Sequence, residues 1–171
     1  METTQTKQEQ SIHSEPQKEH QWLQKFVGEW TYESEVNMGA DRPPEKAMAT
    51  ESVRSLGGFW VLGEGEGEMP GCDVAKTIIT LGYDPQKQRY TGTFVASMMT
   101  YLWLYDGELD AAKNILTLNS DGPAMTGEGL MAKYKDVIEL KSDDHWVMTS
   151  HVLGDDGEWH QFMTANYWRK N

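Results

Sequence analysis

A single cysteine, Cys72, stands in the 171 residues, so no disulfide can form within the chain and a reducing, cytoplasmic setting is expected. Nowhere do about 18 apolar residues follow one another, which gives no helical membrane span. The opening Met1-Glu2-Thr3-Thr4-Gln5-Thr6 has no apolar run behind a basic region, so no leader is expected. Basic residues are scarce: 15 against 27 acidic, a net charge of −12. That balance repels phosphate backbones and anionic lipid surfaces, so neither nucleic acid nor a membrane is an expected partner. Reactive motifs are missing too. No serine sits in a Gly-x-Ser-x-Gly elbow, no His-Glu-x-x-His occurs, and Cys72 has Gly71 and Asp73 beside it, with no basic neighbour to lower its pKa. No catalytic residue is assigned.

Helical periodicity is confined to one segment. Residues 1–13 hold almost nothing to bury and are expected to be a disordered tail, and truncation of residues 1–12 is expected to leave the melting temperature nearly unchanged. Ser14, Glu15, Pro16 and Gln17 then form a helix start. Trp22, Leu23, Phe26 and Val27 make the apolar stripe of a helix over 15–27, which is expected to lie against one end of a sheet. From Trp30 to Arg169 about ten alternating segments follow, separated by short turns, among them Asp84–Gln88 and an Asp106-Gly107 turn signal. The pattern predicts one all-β domain over 14–171, an antiparallel barrel or sandwich with a single helix.

Residues 59–68 sort their side chains most sharply. One face carries Trp60, Leu62, Glu64, Glu66 and Glu68, the other Phe59, Val61, Gly63, Gly65 and Gly67. Glycines inside a strand mark a bend or the close approach of another group. Two arrangements follow: the glutamates solvate the outside, or they gather in the lumen and raise one another's pKa. The lumen is taken for Glu64 and Glu66, with Glu68 at the rim.

Two further groupings suggest binding. A two-residue turn at Asp155-Asp156 places His151 opposite His160, close enough to share a metal or haem; the alternative is a pair of ordinary histidines. Met98, Met99, Met125, Met131, Met148 and Met163, with Trp60, Tyr101, Trp103 and Trp146, line a pocket or fill a core. The expected function is non-catalytic binding of a small, mainly apolar molecule by Glu64, Glu66, Met98, Trp103, Met148 and His151. The alternative is an enzyme or a metal or haem protein using the glutamates or the histidine pair, and no cofactor is specified. Tyr101, Trp103 and Tyr105 share a strand face that, turned outward, makes a homodimer patch.

Gly28-x-Trp30 before the first strand and Arg169 near the end of the last resemble the paired signature of the calycin superfamily, which includes the lipocalins. Val27-Gly28-Glu29-Trp30-Thr31-Tyr32, Gly63-Glu64-Gly65-Glu66-Gly67, Leu81-Gly82-Tyr83-Asp84-Pro85, Gly107-Glu108-Leu109-Asp110 and Thr149-Ser150-His151-Val152-Leu153-Gly154-Asp155 are similar to a bacterial family of domains of unknown function, numbered fifteen seventy-nine, over residues 19–169. The resemblance implies a calycin-like barrel with the arginine packed over the tryptophan at a closed end, and it supplies no catalytic residues.

Overall fold

The computed structural model describes residues 14–37, 39–69, 72–127 and 129–171, so the expected tail over 1–13 lies outside the described residues. One helix, α1 (Lys18–Gln24), precedes ten strands: β1 (Gly28–Val36), β2 (Glu45–Leu56), β3 (Trp60–Met69), β4 (Cys72–Asp84), β5 (Arg89–Ala96), β6 (Trp103–Asp110), β7 (Ile115–Pro123), β8 (Met131–Ser142), β9 (His145–Leu153) and β10 (Trp159–Arg169). Each strand pairs antiparallel with its sequence neighbours, and β1 pairs with β10 to close the barrel. No helix among the described residues is long and apolar enough to cross a membrane.

α1 is shorter than its periodicity suggests. Gln17 rather than Ser14 is the N-cap, in a reciprocal box with His20, whose Nδ1 accepts from the Gln17 N–H at 2.9 Å. The helix is docked by three polar contacts. His20 Nε2 lies 3.0 Å from the Tyr83 carbonyl, Trp22 Nε1 donates to Asn114 Oδ1 at 3.0 Å, and the Tyr90 hydroxyl donates to the Glu19 carbonyl at 3.3 Å. Beneath them Trp22, Leu23 and Phe26 are buried against Trp30, Val53, Leu81, Tyr90, Leu116, Leu140 and Trp146, and the helix end of the barrel is sealed.

The seal is completed by Trp30 and Arg169. Trp30 is 0% exposed, its indole donates to the Phe26 carbonyl at 2.8 Å, and the Arg169 guanidinium lies 4.3 Å from its ring centroid. Arg169 Nη1 and Nη2 donate to the carbonyls of Val27 and Lys25, tying the last strand to the chain entering the first. A Cβ on Gly28 would run into that guanidinium, and Gly28 also has φ 141°, so the glycine of the Gly-x-Trp signature serves backbone and packing together.

Two turns differ from the sequence expectation. Asp106-Gly107 lies inside β6, because Gly107 is buried where a Cβ would press on Leu118, Tyr90 and the Thr117 carbonyl; the real reversal is at 111–114. The β9–β10 connection is a five-residue loop, in which Gly154 N–H donates to the Glu158 carbonyl at 2.8 Å and Gly157 takes φ 79°.

Candidate binding site in the barrel interior

Burial along the strands decides which face of β3 is the lumen. Val61, Gly63 and Gly65 are buried while Glu64, Glu66 and Glu68 are exposed, so the glycine face is the interior and the lumen placement of Glu64 and Glu66 is corrected. On the outside Glu64 lies 3.9 Å from Arg54 and Glu66 3.7 Å from Lys76, with all four side chains more than half exposed. Such pairs add little, and Glu64→Gln or Glu66→Gln is expected to shift unfolding free energy by less than about 0.5 kcal/mol in urea titrations.

The glycine face is bare because a neighbouring strand fills it. Trp30, Glu51 and Gly65 lie in one row of the sheet, and Val53 pairs with Gly63. Glu51 points inward over β3: a Cβ on Gly63 would come within 2.5 Å of Glu51 Oε1, and one on Gly65 within 3.7 Å of Oε2. Glu51 is 7% exposed, and neither carboxylate oxygen has a hydrogen-bond or ion-pair partner among the described residues. Burial alone pushes its pKa up from 4.5 to about 7.

Around Glu51 stand the hydroxyls of Tyr32 and Tyr167, whose rings stack at 4.5 Å. Burial, reinforced by the charge of Glu51, pushes Tyr32 up to about 12, and Tyr167 also rises well above its ordinary value. Across the interior is a second acid, Asp136, but its oxygens are occupied. Tyr105 donates to Oδ2 at 2.6 Å and Ser150 to Oδ1 at 2.6 Å. Burial raises the Asp136 pKa, and these two hydrogen bonds oppose the rise. Of the two interior acids, Glu51 alone is left without a donor.

Toward the end opposite α1, apolar interior-facing side chains are partly accessible: Ile79, Phe94, Trp103, Met148 and Met163 are half-buried, whereas Leu23, Trp30, Leu116 and Leu118 at the sealed end are 0% exposed. Trp103 crosses this mouth edge-on to Tyr101 and Tyr134, at 5.0 and 5.1 Å, and Gly122 lies so close beneath it that a Cβ there would overlap the indole.

Of the side chains chosen from sequence, Trp103 and Met148 therefore face the interior, and Met98 stands 39% exposed in the loop after β5 at the open end. His151 is corrected to the outer face, where its Nε2 lies 3.0 Å from Thr149 Oγ1 and where burial and Lys135 lower its pKa. The His151–His160 pairing is corrected as well. Gln161 opposes His151 and His160 opposes Val152, a slip of one residue set by the longer loop, and His160 instead contacts Asp156. Among the described residues no group of three or more His, Cys, Asp or Glu is arranged to hold a metal. Tyr101, Trp103 and Tyr105 do not form an outer patch, since Trp103 and Tyr105 face inward and the exposed residues of that segment are Leu102 and Leu104, so the reason given for a homodimer falls away.

The pattern of the family described as "Protein of unknown function (DUF1579)" matches residues 15–169. The chain belongs to that family. No curated protein matches it in sequence. Among solved structures it is similar to an S-type phycobiliprotein lyase, CPES, from Guillardia theta, at 13% identity and TM-score 0.58 over 91% of this chain and 99% of that one. It is also similar to Rv2717c from M. tuberculosis, at 10% identity and TM-score 0.58 over 92% and 100%. At such identities the likeness is one of fold, a lipocalin-like barrel.

Proposed function

We propose that this DUF1579 member is a binding protein that takes a small, mainly apolar molecule into the open half of its barrel without transforming it. The observation that carries this reading is the gradient of interior accessibility. Helix and Trp30 close one end completely, while Ile79, Phe94, Trp103, Met148 and Met163 present apolar, adaptable surface at the other. Barrels of this size accommodate one small ligand when the interior is not filled by side chains, and the partial exposure of these five side chains leaves that end of the interior accessible. The likeness in fold to a phycobiliprotein lyase supports the architecture on which this reading rests.

A neutral apolar dye such as Nile red is expected to bind saturably at one per chain, with its emission shifted to the blue. Met163→Trp, which fills the interior from β10, is expected to abolish that binding while the variant unfolds cooperatively. Absence of saturable binding by the parent protein, or binding untouched in a folded Met163→Trp protein, contradicts the proposal.

A further inference from the structure

Resting on that reading of the interior as an apolar site, we infer that the ligand carries a cationic or strongly hydrogen-donating head, an alkylammonium being the simplest case, and that Glu51 is the residue that receives it. Glu51 is a buried acid with both oxygens unpaired among the described residues, aimed over the glycine face of β3. A buried polar group left without a partner is costly, and a head group that donates to it recovers that cost. Asp136 cannot serve in this way, because Tyr105 and Ser150 already donate to both of its oxygens.

The groups that face the interior favour the same kind of ligand. From β1 comes the Tyr32 hydroxyl, from β10 Tyr167, from β6 Tyr105 and from β8 Asp136; β3 contributes Gly63, Gly65 and Gly67, and β4 contributes Thr77. At the open rim Glu45 and Asp73 continue the interior-facing rows of β2 and β4. Among the described residues the basic side chains at interior-facing strand positions are Arg169, which covers Trp30 at the sealed end, and His160, exposed at the rim and held by Asp156. An anionic head, such as that of a fatty acid, finds no basic partner beside the apolar residues. Two shallow clefts on the outside, one beside Glu108 and Lys113 and one beside Tyr101 and Trp159, offer exposed polar groups and no buried unpaired one.

The proposal has a pH signature. A proton and an ammonium compete for the Glu51 carboxylate, so ammonium affinity should fall as pH drops through the pKa near 7, by up to about tenfold per pH unit well below it. An alkyl ammonium stays charged throughout that range.

The test is displacement of Nile red from the full chain by decylamine, decanol and decanoate at pH 8 and pH 5.5. At pH 8 decylamine should displace the dye at a concentration at least about tenfold lower than decanol, the equivalent of about 1.4 kcal/mol, with decanoate weakest. That advantage should shrink at pH 5.5 and vanish in Glu51→Gln. Glu66→Gln removes a charge from the outside of the same hairpin and should keep the advantage, which separates a seated head from general attraction to an acidic protein. Decanoate binding as well as decylamine, an advantage that survives Glu51→Gln, or one lost equally in Glu66→Gln overturns the inference. Dye binding with no preference among the heads overturns the inference and leaves apolar binding standing, whereas failure of the dye and all three chains to bind overturns both.

Discussion

Replacing Trp30 with alanine is expected to cost about 3–5 kcal/mol in urea unfolding, the largest loss from any single truncation proposed here. The indole is 0% exposed and joins three parts of the seal: Phe26 through its N–H, Trp146 edge-on at 6.0 Å, and Arg169 across its face. Alanine leaves a cavity at the junction of helix and barrel, and it strips the guanidinium of its aromatic partner while the carbonyls of Val27 and Lys25 continue to hold it. The helix cannot collapse into the space without giving up its contacts with Tyr83, Asn114 and Tyr90. A loss below about 1 kcal/mol would mean that Trp30 does not carry the seal.

The second large effect belongs to Glu51, and its sign is opposite. The folded-state pKa lies near 7, above the ordinary 4.5. Between those values the folded protein holds a proton that the unfolded chain releases. The contribution of this group is therefore fully present below pH about 4.5 and is lost as pH rises through about 7, a swing of about 3 kcal/mol. Asp136, also raised by burial, acts in the same direction. Glu51→Gln removes the charge while keeping the side chain's size, so it is expected to stabilise the empty protein at pH 8 by about 1–3 kcal/mol and to have little effect at pH 5. The difference between the two proteins, measured by urea unfolding at both pH values, isolates this group from the general repulsion of an acidic chain. Equal pH dependence in parent and variant would place the Glu51 carboxyl in water.

Much of the barrel could be read from alternation, because a strand with one dry face repeats every two residues whatever its partners are. About ten strands were legible in this way and ten are present among the described residues, and Gly28, Trp30 and Arg169 form the closed end that their calycin-like pattern implies. Alternation does not say which face is inside when both look plausible, and that ambiguity misplaced Glu64 and Glu66. The deciding residue sits one strand earlier. In Ala49-x-Glu51-x-Val53 and again in Tyr134-x-Asp136-x-Ile138-x-Leu140, a single acid interrupts an otherwise inward-facing apolar or aromatic row. That interruption was the available signal for the interior acids. The histidine pair failed for another reason: its register depended on a loop length, and five residues stand where two were expected, with a further irregularity between Gln161 and Met163. Asp106-Gly107 has turn chemistry locally, but Gly107 is needed for close packing against Leu118 and Tyr90.

The central claim is that the apolar ligand site is the interior of the open half of the barrel, and the methionines report on it directly. Met148 and Met163 face inward and are half-buried, whereas Met48, Met125 and Met131 are 63%, 63% and 59% exposed. With the methionine methyl groups labelled with carbon-13, titration with Nile red or decanol is expected to shift the Met148 and Met163 signals together, saturating at one ligand per chain, and to leave Met48, Met125 and Met131 in place. Shifts confined to the exposed methionines, with Met148 and Met163 unmoved at saturation, would put the ligand on the outer surface and contradict the account.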